Sequence, residues 1–384
     1  MAYGKYLLIF FLLICVETKA QENLYQQADS LSYALYSAGN WPQLITSGKQ
    51  YIQAGNDFPA LRLRLGYAFF ISQKYTDALQ QYDAVLANDS YNQTARYFAY
   101  WCNRYLNRFT EADYHASFTD PKTLNDEHIN AFGITVVGLE NSLKFPEDFT
   151  RNNASYTRLF AGNRFGWRLQ AEHSVAYYNQ ENQDLFHQQN PNEKYDPDQY
   201  EFYEKLSYSV TNKLSLLAAY HLLRTDKTNH VGLFGLKYSV NKLEVQADVS
   251  YAYINQTNIF QYNAKLNWYP LGNLNFYTVT RGAFLQQDHN QFIISQLIGG
   301  KILKNVWTET AATFGRQNNY LEYDALYVYD FVDATTFKST ETVYFQLNPH
   351  LLLPLTYMFE RKNNMYQNLY YNQHSITAAI LWRF

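Results

Sequence analysis

The chain has 384 residues, with 34 acidic and 31 basic side chains and a formal net charge of −3, which is too small to argue for a charged partner. No Lys/Arg run suggests nucleic acid. Aromatic residues make up 18% of the chain, with 37 Tyr and 26 Phe, and no stretch approaches the ~18 consecutive apolar residues of a membrane-spanning helix. A helical membrane protein is therefore excluded. A transmembrane β-barrel is not, because barrels concentrate aromatics at both lipid–water interfaces. A Tyr-rich secreted sandwich or solenoid is the alternative.

The amino-terminus reads as a cleavable secretory signal over residues 1–20. Lys5 supplies the positive region, Tyr6 to Val16 the apolar run, and Thr18-Lys19-Ala20 the small residues before a cut at Gln21. Lipidation at Cys15 is the alternative, but Ile14 before it is not small. Cys102 would then be the one remaining cysteine, which leaves neither an intramolecular disulfide nor a thiolate metal site.

Residues 21–125 carry helical spacing and an internal period. Trp41, Tyr75 and Phe109 lie 34 residues apart, as do Leu44, Ala78 and Ala112. That period is the length of a tetratricopeptide helix–turn–helix unit. The middle copy is clearest, with Leu65-Gly66, Phe69, Tyr75, Ala78, Tyr82 and Leu86. Gly66 and Ala78 let paired helices approach, and Tyr75 and Tyr82 fill the groove. About three units make a short α-solenoid of six or seven helices. Its concave face would hold a peptide or polymer, or the domain would be a plug or spacer.

Residues 120–130 read as a linker, and residues 126–384 as an antiparallel β-barrel. The period there is two. Leu243, Val245, Ala247, Val249, Tyr251 and Tyr253 alternate with Glu244, Gln246, Asp248, Ser250 and Ala252. Phe260 to Trp268 and Trp167 to Tyr177 repeat the pattern. Apolar parity faces lipid and polar parity the lumen. Short Asn-containing turns at residues 211–213, 240–242, 271–273 and 303–305 should form the periplasmic rim. Longer loops at 181–198, 225–230, 255–258, 286–291 and 363–373 should face outward. The count gives about fourteen strands, with twelve to sixteen open because residues 316–339 read either as an extra strand pair or as an outer loop. The final strand alternates from His374 and ends Trp382-Arg383-Phe384.

A signal, then tetratricopeptide-like repeats, then a barrel ending in an aromatic residue resembles the YaiO-type outer-membrane β-barrel family. It resembles more distantly the PgaA-like porins that export exopolysaccharide. Gly66, Tyr75, Ala78 and Tyr82 carry the resemblance in the repeats, and Trp382 and Phe384 at the end. It implies an outer-membrane location with a periplasmic helical domain. Trp382 and Phe384 would be read by the barrel-assembly machinery. The partners implied are outer-membrane lipid, periplasmic proteins and a secreted polysaccharide.

Charged residues on the polar parity are the candidate lumen lining: Arg168, Glu172, Lys205, Glu244, Asp248, Lys265 and Glu309, with Arg383 at the end. Either they handle a hydroxyl-rich polymer or they pair across strands and stabilise the wall. Tyr203, Tyr344 and Trp307 are candidate sugar-stacking rings. Asp324, Asp330 and Asp333 share one stretch, read as an outer loop and a candidate calcium site. His173 and His374 fall on the lipid parity, and no Ser–His spacing marks a nucleophile. No catalytic residue and no cofactor is expected. Three readings of function follow: a pore for polysaccharide export, a plugged anchor presenting the repeats beneath the membrane, or a barrel enzyme acting on lipid.

Overall fold

A computed structural model describes residues 24–183, 194–195, 198–330, 333–364 and 368–384. The secretory signal, Cys15 and most of the loop over residues 181–198 lie outside them. The chain divides into two compact units. One holds residues up to Asn107 together with Phe118–Asp120, and the other holds Arg108–Ser117 and Pro121–Phe384.

The first unit is helical: α1 over residues 24–37, α2 Trp41–Gln53, α3 Pro59–Ile71, α4 Tyr75–Leu86 and α5 Gln93–Tyr105. Asn40 caps α2 by accepting from the Gln43 backbone N–H, and Asn92 caps α5 through Ala95. Pro59 opens α3, where the missing N–H costs nothing. The 34-residue period is the period of the helices. The starts of α2 and α4 at Trp41 and Tyr75, and of α3 and α5 at Pro59 and Gln93, are each one period apart. Leu44 and Ala78 are fully buried. Leu65, Phe69, Ala78, Tyr82, Ala95, Ala99 and Cys102 form the core, with Tyr75 packed against it. Tyr82 lies across Gly66, so closely that a Cβ there would stand 2.7 Å from the ring.

The second unit begins with α6 Phe109–Ala116, whose first residue continues the period, and α7 Pro121–Asp126. The expected linker thus contains a short helix. Then come β1 Phe132–Pro146, β2 Arg151–Phe165, β3 Leu169–Gln183, β4 Lys194–Tyr195, β5 Gln199–Ser209, β6 Leu214–Arg224, β7 Thr228–Val240, β8 Leu243–Ile254 and β9 Thr257–Trp268. They are followed by β10 Phe276–Gln286, β11 Gln291–Leu303, β12 Val306–Gln317, β13 Tyr320–Glu322, β14 Tyr327–Tyr329, β15 Ala334–Gln346, β16 Leu351–Asn364 and β17 Leu369–Arg383. Fourteen of these close a barrel. Neighbours pair antiparallel in chain order, β12 pairs with β15, β3 with β5, and β1 with both β2 and β17.

Wall strands of 11–15 residues, tilted as barrel strands are, cross roughly 30 Å of hydrocarbon. Their outward parity is apolar. Leu159, Val175, Leu206, Leu236, Val249, Ile298, Leu355 and Ile376 are exposed along the wall. Exposed aromatics gather toward the two ends: Phe165, Tyr208, Tyr238, Trp268 and Trp382 at one, and Tyr177, Tyr200, Tyr220, Tyr253, Phe292 and Tyr370 at the other. This is a lipid-facing surface with two girdles. Trp382 also stacks on His350 at 5.5 Å.

One rim carries the connections at Gly166–Arg168, Val210–Lys213, Asn241–Lys242 and Lys304–Asn305, together with the start of β1 and the end of β17. At the other rim, two connections expected as longer loops are tight: Thr225–Lys227, and the two-residue turn of Asn255 and Gln256, whose φ values are +50° and +69°. Within the stretch 316–339, residues to Gln317 finish β12 and residues from Ala334 begin β15, and the described residues between them add no strand to the wall. β13 and β14 form their own two-stranded sheet, and the hairpin folds back into the lumen.

Replacing Gly66 by Val forces Tyr82 off α3. The helical unit should lose about 1–3 kcal/mol, the usual cost of overpacking. Denaturant titration followed at 222 nm should show its transition at lower denaturant, while the barrel keeps its heat-resistant gel mobility.

Candidate functional site

The barrel lumen is the site, because two elements of the chain occupy it. The first is the β13–β14 hairpin. Its tip residues Tyr323, Asp324 and Ala325 have φ of +51°, +59° and +65°, a left-handed run that non-glycine residues adopt only when their surroundings enforce it. Here the wall enforces it. Tyr203 Oη donates to the Asp324 carbonyl at 3.0 Å, and His221 Nδ1 meets the Ala325 carbonyl at 2.8 Å. Lys205 Nζ donates to the Asp324 carboxylate at 3.2 Å and Gln246 Nε2 at 2.8 Å. Gln261 both accepts from the Leu321 N–H at 2.9 Å and donates to its carbonyl at 2.7 Å, as a neighbouring strand would.

The stems are held as firmly. Glu322 pairs with Lys338 at 2.5 Å, and Tyr327 Oη donates to Glu140, which also pairs with Arg158 at 3.0 Å. Leu321, Ala325 and Val328 pack on an apolar wall of Leu223, Val231, Ala252, Ile254 and Ile259. The hairpin thus reaches β1, β2, β15 and every strand from β5 to β9.

The second element is α6, seated in the rim that carries the start of β1 and the end of β17. Its polar residues are buried: Thr110, Glu111, Asp113 and His115. Glu111 meets Lys237 at 3.1 Å and accepts from Ser239 at 3.1 Å. Asp113 accepts from Arg164 at 2.7 Å and from Gln170 at 2.6 Å. Arg108, just before the helix, pairs with Glu244 at 3.5 Å and lies over Tyr269. Burial alone would raise the Glu111 carboxyl, but Lys237 and Arg108 outweigh it and hold it below the usual carboxylate range.

Each candidate lumen residue has a place in this arrangement. Arg168 lies over Tyr114 of α6 at 4.8 Å, and Glu244 receives Arg108 and also accepts from Asn267 at 2.6 Å. Glu172 and Lys205 pair across strands at 2.9 Å beneath the hairpin tip. Asp248 accepts from Asn263 at 2.6 Å and Gln246 at 3.0 Å. Lys265 stands in register between Gln246 and Arg281 on that wall. Glu309 accepts from Tyr277 and, at 2.7 Å, from Tyr344. The three aspartates do not form a calcium loop. Asp324 is clamped to Lys205 and Asp333 to Arg151 at 2.8 Å, each with a cation where a metal would have to sit.

Between the hairpin and the wall remains a cavity of about 400 Å³ whose lining includes Tyr156, Tyr178, Tyr323, Tyr344, Glu309 and Lys338. Several of its tyrosine rings are fixed by phenol–carboxylate bonds, as with Tyr156 on Glu201 at 3.2 Å and Tyr329 on Glu322 at 3.2 Å, while Tyr178 donates to Gln180 at 2.7 Å and Tyr323 lies under Arg281.

Sequence reasoning missed Arg108, Glu111 and Asp113. One signal was present. At the repeat position where earlier copies have Ile45 and Leu79, the third has Asp113. The hairpin left only the alternating Tyr320 to Tyr329, which reads equally well as wall.

No family profile matches the chain, and no curated protein does. Among solved structures, it is similar to a bacterial polysaccharide outer membrane secretin, at 8% identity over 65% of this chain and 98% of that one, TM-score 0.43. It is similar to the P. putida toluene transporter TodX at 10% identity over 71% and 94%, TM-score 0.42. An Acinetobacter baumannii outer membrane protein gives 8% over 65% and 99%, TM-score 0.41.

Because the folded Glu111 carboxyl titrates below its ordinary value of 4.5, its share of the α6 seat is complete above that pH. It is lost as pH falls through the lower folded value. A spin label on α6 should stay immobile at neutral pH and loosen only in the acid range. Glu111→Ala should loosen it at neutral pH, since about 3–5 kcal/mol follows when one partner of a buried pair is removed.

Proposed function

We propose that this is a bacterial outer-membrane barrel held closed at rest, with its repeats in the periplasm. A periplasmic partner docking on the repeats unseats α6 and opens the lumen to a secreted polysaccharide. The observation that carries this reading is the double membership of α6. By sequence it is the third copy of the 34-residue repeat, and by packing it sits in the barrel mouth. A partner that reorganises the repeats therefore pulls on a helix whose release clears the barrel mouth beneath the hairpin.

The rim that carries the start of β1 and the end of β17 supports the periplasmic assignment of this side, since both ends of such barrels usually lie there. The exposed aromatics Trp382 and Phe384 on and after β17 suit recognition by the barrel-assembly machinery. The cavity supports the substrate class. Flat tyrosine faces suit sugar rings, and the surrounding Glu, Ser and Thr side chains suit hydroxyls.

A second reading has its own support. The hairpin fills the lumen independently of α6, which favours a non-conducting anchor that presents the repeats.

Planar-bilayer conductance separates the two. The full chain should be nearly silent. A variant combining a short Gly-Ser turn in place of residues 319–330 with Glu111→Ala and Asp113→Ala should give steady openings, reversibly blocked by added polysaccharide. A doubly unplugged barrel that is folded, by gel heat-shift, yet silent would rule out the pore and leave the anchor.

A further inference from the structure

The lipid-facing wall is not apolar all round. On β8 every second side chain meets lipid as Leu243, Val245, Val249, Tyr251 or Tyr253. Across β10, β11, β12 and β15 the same parity is interrupted. Glu309, Ala311, Thr340 and Thr342 face the luminal cavity, so Thr308, Thr310 and Glu341 between them face outward. Both threonine hydroxyls donate to the Glu341 carboxylate. Next to them, Thr280 donates to Gln296 at 2.7 Å, with Gln296 exposed on the outer surface. Register places Ala312 between Gln296 and Ser339, and Thr310 between Ile298 and Glu341. Glu341 is eight residues into the thirteen of β15, near the middle of the wall.

A carboxylate at that depth, facing hydrocarbon, is expensive unless something polar covers it. Among the described wall residues, the other outward carboxylate of this kind, Glu204, has His173 beside it. Among the described residues Glu341 has hydroxyls alone.

We infer that this face is the contact between two copies of the chain, related by a two-fold axis along the membrane normal and passing over β12. Such an axis returns every residue at its own depth, so the patch meets itself at matched height. Gln296 and Glu341 flank β12 on opposite sides. Rotation therefore brings the Gln296 side of one copy against the Glu341 side of the other, twice, offset along the strands by the step from Ala312 to Thr310. The Gln296 amide, which donates one N–H to the Leu297 carbonyl at 3.1 Å, keeps a second to offer the carboxylate across that offset. The small Ala312 beside the axis permits close approach, as small residues do at interfaces within membranes. The polar patch is thereby buried against its own complement, and the apolar remainder of the wall stays with lipid.

The test uses the full chain in native membrane vesicles. Thr310→Cys, beside the axis, should give a covalent dimer on mild oxidation. Leu206→Cys on β5, on a distant part of the wall, should stay monomeric. Cys102 is fully buried and does not compete. In mild detergent, native mass spectrometry should show a dimer for the unmodified chain and a monomer for the Gln296→Leu, Glu341→Leu pair, which lipid solvates better than the original. Heat-shifted gel mobility confirms that each variant has folded. A monomer for the unmodified chain together with no Thr310→Cys cross-link overturns the inference. So does a cross-link to a protein of another mass, which would make the face a docking site for a different chain.

Discussion

Hydrocarbon offers no hydrogen bonds, so every backbone N–H and C=O that crosses it must be answered inside the sheet. The pairing of β1 with β17 meets that demand. From Val136 opposite Arg383 to Pro146 opposite Gln373 it joins the first wall strand to the last and removes both edges. The rest follows from closure. Once the sheet is closed, one parity of each strand is committed to lipid and the other to the interior. Fourteen strands enclose more space than wall side chains fill, since eight already suffice for a packed interior. The remaining volume must hold water or additional chain. Here it holds a hairpin from one rim and a helix from the other.

The two fillings differ in how they are held. The hairpin joins an apolar contact to polar clamps. Leu321, Ala325 and Val328 sit on one wall, while Asp324 and Glu322 answer Lys205 and Lys338. α6 is held chiefly by ions and hydrogen bonds. Buried pairs of that kind add little net stability, because desolvation offsets most of their attraction, yet they tolerate no missing partner. Such a seat is specific and weakly cohesive. It keeps the helix in one register while leaving modest free energy between seated and unseated states, which is what a removable closure requires. The hairpin, with its apolar footing, is the harder of the two to displace.

Much of this was legible because it rests on periodicity. Alternation such as Leu243 to Tyr253 fixes a strand and its two faces whatever surrounds it, and closure then fixes the strand number to within a pair. The 34-residue period likewise gave helix starts directly. What depended on chain returning to the lumen was not legible. Tyr320 to Glu322 and Tyr327 to Tyr329 alternate as wall strands do, and nothing local separates a strand in the wall from one inside it. The seven candidate lumen charges were named from parity alone. Asp324 beside Lys205, Arg108 beside Glu244 and Tyr114 beside Arg168 lie far along the chain, off the wall strands. Loop length misled at Asn255, where a polar, Asn-rich stretch makes a two-residue turn because Asn255 and Gln256 accept positive φ.

One residue carries more of the assignment of α6 than its period does. Positions 45, 79 and 113 are equivalent in the repeat, and Ile45 and Leu79 pack against the helical core. An aspartate in that role would be buried without a partner, at a cost far above that of a lost methyl group. The third copy therefore cannot pack as the second does. Asp113 finds its donors in Arg164 and Gln170, beside the β2–β3 turn of the barrel. The repeat supplies the helix and its spacing, and a single apolar-to-acid change redirects the face that would have met another helix toward a barrel mouth lined with donors. In this chain the boundary between solenoid and barrel falls within a repeat, because the buried charge decides where the helix can be satisfied.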